Sequence, residues 1–152
     1  MTIFKKFLLT SRYDKPQGIL LLYFPCIWGL GLNKINITEE IFICIIFLIG
    51  ACGMRSLGYI WNDLNDKNFD INVRRTKNRL IANNAISKKL IISFCIINGF
   101  IGSIPLYFLP VHSTLISFCV VPLVIVYPFM KRFTWWPQLW LGLCFNWGLL
   151  VS

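Results

Sequence analysis

The sequence predicts an all-α fold: a polytopic membrane helical bundle of about five transmembrane helices. Three observations carry this reading. Of 152 residues, 57% are hydrophobic and 14% charged, whereas a soluble domain carries about 25% charged residues. Apolar runs cover residues 18–32, 41–61, 90–109, 115–130 and 135–151, and a spanning helix needs roughly 20 such residues, within a range of about 17–25. The basic residues gather between these runs and fall on one side if all five span.

The elements follow in order. The amino-terminal tail carries Lys5, Lys6, Arg12 and Lys15. Its apolar stretch, residues 7–10, is too short for a cleavable signal core and is closed by Arg12, so the first run is expected to anchor itself. The first, fourth and fifth runs are short and need their flanks to span; the second and third meet the length directly. Pro105, Pro122 and Pro128 are expected to break or kink the third and fourth runs. Trp135, Trp136 and Trp140 read as an interfacial belt.

The loops set orientation. The segment after the second run holds Lys67, Arg74, Arg75, Lys77, Arg79, Lys88 and Lys89, and the turn after the fourth holds Lys131 and Arg132. The opposite loops hold only Lys34, with Glu39 and Glu40, and the uncharged residues 110–114. The positive-inside rule then puts the amino terminus, residues 62–89 and Lys131–Arg132 on the cytoplasmic side. The formal charge of +9 does not indicate nucleic acid, because it is dispersed between apolar runs instead of clustered on a soluble face. The six cysteines lie in apolar runs without a C-x-x-C pair and read as small buried hydrophobes. His112 has no ligand partner in sequence. Residues 1–152 read as a single membrane domain, since the polar segment 62–89 is too short to fold alone.

The chemistry gathers at Asn62-Asp63-Leu64-Asn65-Asp66-Lys67-Asn68-Phe69-Asp70, directly under the second run. Asp63, Asp66 and Asp70 stand three and four residues apart and share one face if the chain stays helical. Such a face repels itself unless a cation neutralises it. Magnesium suits the site: it is a hard ion, commonly held by one or two carboxylates and completed by substrate phosphates, and Asn62 adds an amide oxygen. Arg74, Arg75, Lys77 and Arg79 form a counter-surface for phosphate. The bland alternative, an acidic solvated loop, does not explain carboxylates at helical spacing backed by four cations within nine residues. An N-D-x-x-D-x-x-x-D at the mouth of a membrane helix points to prenyl diphosphate chemistry. Arg55 lies seven residues before Asn62, about 10 Å deeper along a helix. That is far for snorkelling, and an ionisable residue at depth is a functional candidate.

Four stretches resemble aromatic prenyltransferases of the UbiA superfamily, most closely the 4-hydroxybenzoate polyprenyltransferase branch. Arg12-Tyr13-Asp14-Lys15-Pro16-Gln17-Gly18, with Leu20-Leu21-Leu22, Pro25 and Trp28, resembles its R-x-D-K-P-x-G-x-L-L-L-x-x-P-x-x-W opening. Met54-Arg55-Ser56-Leu57-Gly58 leads into the acidic motif as M-R-x-x-G does. Arg75-Thr76-Lys77-Asn78-Arg79 resembles R-T-x-N-R. Residues 127–134, with Pro137, Gln138, Leu141 and Gly142, resemble Y-P-x-x-K-R-x-T and its continuation. The resemblance implies a nine-helix fold, magnesium, and transfer of a polyprenyl group from polyprenyl diphosphate to 4-hydroxybenzoate in a bacterial inner membrane. It implies that Asn62, Asp63, Asp66 and Asp70 hold the metal diphosphate, the three aspartates being the catalytic set. It also implies that Lys131, with Tyr127 beside it, holds the leaving diphosphate, and that Arg132 holds the acceptor carboxylate. Arg12 and Arg55 join the acceptor side by segment match; Arg74 and Arg79 join the diphosphate side on charge.

Two departures stand out. Where the family continues from Arg79 with P-L-P-x-G, this chain reads Leu80-Ile81-Ala82-Asn83-Asn84, and a less rigid loop is expected. The resemblance covers the amino-terminal half of the family domain, and no acidic residue follows Asp70, so the family's second D-x-x-x-D has no match here. The chain is therefore expected to lack activity alone, as a truncated remnant or as one subunit complemented by a separate carboxyl-terminal half chain. A prenyltransferase with another aromatic acceptor is a further alternative. A CDP-alcohol phosphotransferase is disfavoured, because its early Asp-Gly is absent. Prenyl chain length is not legible.

Overall fold

The computed structural model describes residues 1–32 and 37–152, apart from the side chains of residues 37, 131 and 132. Regular structure among the described residues is helical throughout, without a strand. The order is α1 (Ile3–Thr10), α2 (Gln17–Leu32), α3 (Ile37–Asn65), α4 (Lys67–Asp70), α5 (Lys88–Ser103) continuing into a 3₁₀ turn (Ile104–Tyr107), α6 (Val111–Cys119), α7 (Val121–Phe133), α8 (Pro137–Asn146) and α9 (Gly148–Val151).

Local chemistry sets these boundaries. The Thr2 hydroxyl accepts from the Lys5 N–H and the Ser87 hydroxyl from the Leu90 N–H, capping α1 and α5. Glu39 and Glu40 occupy the first turn of α3, where the helix dipole favours negative charge. Pro105 sits in the tightened turn that ends α5, and Pro122 stands at the start of α7, just after α6 closes. A residue without an N–H is tolerated at such starts and disrupts a helix interior. Pro25 and Pro128 lie inside α2 and α7.

Helix occupies each of the five apolar runs, but among the described residues three segments are long and apolar enough to cross a membrane: Thr38–Asn65, Lys88–Tyr107 and Val111–Met130. The 16 residues of α2 rise about 24 Å, short of a hydrocarbon core about 30 Å thick. The last run is divided at Trp147 into α8 and α9. Helix length alone thus supports three spans where the sequence suggested about five.

The bundle is built around α3, whose main neighbours are α5 and α2. A Cβ at Gly53 would fall against the backbone of Asn98 and Gly102, so α3 and α5 approach as closely as their glycines permit. Such small-residue contact is a main source of helix association in lipid, where no hydrophobic driving force separates helix from tail. Gly148 of α9 seats against Cys26 of α2, which also packs with Phe47 of α3. A core of Ile60, Ile81, Ile86, Ile91 and Phe94, with Phe7 and Leu80 against it, ties the segment between α4 and α5 to the bundle. All six cysteines are free.

Candidate functional site

The acidic motif straddles the end of α3. The Asp66 N–H still donates to the Asn62 carbonyl at 2.9 Å, but Asp66 itself adopts φ −90° and ψ 1°. The helix breaks there and restarts as α4, with the Asp70 N–H donating to the Asp66 carbonyl at 2.8 Å. The single helical face expected for three carboxylates is therefore interrupted at its middle member. Asp63 and Asp70 still converge: Arg79 Nη1 donates to Asp63 Oδ1 at 3.0 Å and to Asp70 Oδ2 at 2.6 Å. Arg12 Nη2 reaches the same Asp63 oxygen at 2.6 Å. Asp66 takes a different partner, its Oδ2 accepting from Asn62 Nδ2 at 3.0 Å. For Asp63 and Asp70 the self-repulsion anticipated from the sequence is relieved by the chain's own arginines.

Arg79 reaches this position because its segment is anchored. Ile81, Ala82 and Ile86 are buried, and the buried Thr76 hydroxyl donates to the Asp70 carbonyl at 2.9 Å. Asn84 stands at φ 58°, a left-handed conformation that Asn tolerates better than most residues. It falls where the resembled pattern has glycine, and its side-chain oxygen accepts from Lys67 Nζ at 2.6 Å. The departure from P-L-P-x-G thus leaves a segment held by buried side chains and one cross-link to α4.

Above the carboxylates, Arg55 and Arg12 flank one ring. The Arg55 guanidinium lies 3.7 Å from the Tyr59 ring centroid and 4.5 Å from that of Phe145, and the Arg12 guanidinium lies 4.4 Å from Tyr59. Aromatic faces at this range stabilise cations, more strongly when desolvated. The buried Nε of Arg55 has no hydrogen-bond partner among the described residues.

A cavity of about 700 Å³ opens from this cluster. Arg12, Arg55, Tyr59, Asn62, Arg79 and Tyr127 line its polar end; Phe47, Met54, Leu109, Val124 and Phe145 are among its apolar walls. From Phe47 to Asn62 the α3 wall rises about 22 Å. The cavity is a slot with a cationic head and a hydrocarbon shaft.

The sequence candidates sort accordingly. Asn62, Asp63, Arg12, Arg55, Arg79 and Tyr127 are gathered at or beside the polar end, and Asp70 joins through Arg79. Arg74 is exposed and forms no ion pair among the described residues. Lys131 and Arg132 end α7, but their side chains lie outside the described residues. Sequence reasoning missed Tyr59 and Phe145. Tyr59 was reachable, standing four residues from both Arg55 and Asp63 on a helix; Phe145 carried no local signal.

Among the described residues no group of three or more His, Cys, Asp or Glu side chains converges as a metal site. The donor set nonetheless fits magnesium. Asp63 Oδ1 and Asp70 Oδ2 already meet at one cationic nitrogen, and two carboxylates completed by phosphate oxygens are a common magnesium arrangement.

Residues 22–152 match the model of the UbiA prenyltransferase family. The chain is 40% identical over 150 residues to the mitochondrial 4-hydroxybenzoate polyprenyltransferase of Dictyostelium discoideum, covering 96% of this chain and 32% of that protein. It is 37% identical over 141 residues to the 4-hydroxybenzoate octaprenyltransferase of Pasteurella multocida, covering 93% and 48%. The chain thus spans about a third to a half of the curated relatives it matches. The apo structure of a UbiA homologue from Aeropyrum pernix K1 superposes with a TM-score of 0.70 at 18% identity, over 99% of this chain and 50% of that one, which establishes the shared helical fold. With its apolar helices and a family match over most of its length, this chain is a membrane protein that belongs to the UbiA prenyltransferase family.

Proposed function

We propose that this chain supplies the diphosphate-binding side of a polyprenyltransferase that transfers a polyprenyl group from polyprenyl diphosphate to 4-hydroxybenzoate. The observation that carries the reading is the slot: a cationic, carboxylate-backed head opening into an apolar shaft, the shape and polarity of an isoprenoid diphosphate. The relatives' names supply the acceptor.

Asn62, Asp63, Asp66 and Asp70 are the residues that would hold magnesium, which supplies charge neutralisation for the diphosphate when bound. Arg12, expected on the acceptor side, pairs instead with Asp63 of the acidic motif; we therefore group it with Arg79 at the head of the slot, where their guanidinium groups donate to phosphate oxygens as charge develops on the leaving group. Tyr127 and Lys131 act on the same leaving group. The allylic carbon–oxygen bond breaks with its electron pair going to diphosphate. The carbon ortho to the phenol then forms the new carbon–carbon bond and the ring releases its proton. Apolar walls exclude the water that would otherwise capture the cation, and Tyr59 and Phe145 present ring faces beside the reacting end. Arg55 and Arg132 orient the acceptor carboxylate. Residues 71–152 contain no acidic side chain, so a second carboxylate cluster comes from outside these residues, in the same polypeptide or in a separate carboxyl-terminal chain. In this reading the reaction runs in an inner membrane, and the positive loops put the amino terminus and the acidic site on its cytoplasmic side.

Calorimetry of the chain in lipid nanodiscs with geranyl diphosphate tests the reading. Binding is expected with magnesium, lost with chelator, and lost in Asp63→Ala and Asp66→Ala. Binding that survives both chelation and these substitutions refutes it.

A further inference from the structure

Asn98, on α5, was no candidate from sequence: it is one amide in an apolar run. Its side chain is fully buried, at 0% exposure. Each of its polar atoms is nonetheless engaged. Its Oδ1 accepts from the Tyr13 hydroxyl at 2.9 Å, and its Nδ2 donates to the Ser11 hydroxyl at 2.9 Å and to the Phe94 carbonyl at 2.8 Å. Ser11 and Tyr13 are the residues on either side of Arg12. Arg12 has φ 55°, a left-handed backbone that a long side chain rarely adopts and that persists only where the surroundings impose it. From that strained position its guanidinium reaches Asp63 and lies over Tyr59.

These contacts form one device. The junction between α1 and α2 is pinned on both sides of Arg12 to a single buried amide more than 80 residues away in sequence. A bundle fold needs no such clamp, because Phe7 already packs α1 on Phe94. The clamp fixes the one backbone angle that aims Arg12 into the head of the slot. We infer that Asn98 is a positioning residue for Arg12: through Ser11 and Tyr13 it holds the guanidinium where it meets the acidic motif and the diphosphate. The inference deepens the reading of the slot as a diphosphate site and rests on it for its ligand.

Two measurements on the full chain in lipid nanodiscs test it. The first is magnesium-dependent affinity for geranyl diphosphate in Asn98→Ala, Arg12→Ala and the double variant. Loss of a buried polar contact network predicts about a tenfold weakening in Asn98→Ala, a comparable or larger weakening in Arg12→Ala, and a double variant no weaker than Arg12→Ala alone. Fold-changes that multiply in the double variant, or unchanged affinity in Asn98→Ala, overturn the inference. The second needs no ligand: hydrogen–deuterium exchange of the amides of residues 11–15 is expected to quicken in Asn98→Ala. If wild type itself binds no diphosphate, the slot reading fails, and unchanged exchange then overturns the clamp separately. If Asn98→Ala does not fold, Tyr13→Phe and Ser11→Ala each remove one arm of the clamp and carry the same two readouts.

Discussion

Replacing Arg79 with alanine separates two roles that the site combines. Arg79 is the shared counter-ion of Asp63 and Asp70, at 3.0 and 2.6 Å. Its side chain is 27% exposed, while those of Asp63 and Asp70 are 7% and 12% exposed. Breaking a buried pair from one side costs about 3–5 kcal/mol, and an exposed pair contributes about 0–1 kcal/mol. Partial exposure places Arg79 between these limits. Asp63 also keeps Arg12 at 2.6 Å, whereas Asp70 loses its ion pair among the described residues. A destabilisation of about 1–3 kcal/mol follows, or roughly 2–12 °C in unfolding midpoint for a chain of this size. Divalent cation acts in the opposite direction. With the guanidinium gone, two largely buried carboxylates face each other without it, so magnesium is expected to stabilise Arg79→Ala more than wild type. Binding to the folded state raises stability with the logarithm of ligand over dissociation constant. Thermal unfolding followed by tryptophan fluorescence, in chelator and across a magnesium titration, reads both effects. A variant as stable as wild type in chelator, or one that magnesium fails to stabilise further, refutes the role of Arg79 as counter-ion to these carboxylates.

Two further outcomes follow from the fold and the charge pattern. In a background lacking the native cysteines, Ser113→Cys in intact cells is expected to react with an impermeant thiol reagent and Asn84→Cys is not; the reverse pattern inverts the proposed orientation. Gly53→Leu forces a side chain into the Asn98 and Gly102 backbone, where close packing is intolerant of added volume, so it is expected to abolish folded protein in detergent extraction, whereas Gly31→Leu, with no atom near its absent Cβ, is expected to leave the yield unchanged.

What was legible in the sequence was one-dimensional. Length and apolarity mark residues 41–61 and 90–109 as helices because a membrane demands a set number of residues per crossing. The acidic motif is legible because spacing of three and four on a helix is also contiguous in space. The same rule misled at Asp66, where the helix ends and restarts, since a break of one residue leaves no signature in a polar stretch. Span count was harder, because α2 and α8 depend on flanking residues whose depth a helix assignment does not specify.

The pairing of Arg79 and the engagement of Asn98 were not legible for one cause: both depend on pairs far apart in the chain. Arg79 looked like a phosphate ligand on charge alone, yet it pairs with Asp63 and Asp70, and the burial of Ile81 and Ile86 helps turn its segment back toward α3. Asn98 is silent in sequence, since an isolated amide in an apolar run has the same local pattern whether it is idle or clamps an arginine. Yet an amide buried in a membrane helix is costly unless it is satisfied, and beyond its own helix, where it meets the Phe94 carbonyl, Asn98 is satisfied by the two residues flanking the strained Arg12. Cost at one position and strain at another, joined by hydrogen bonds, fit an arrangement that places a charge. A helix bundle could otherwise replace the amide by leucine and relax the arginine's backbone.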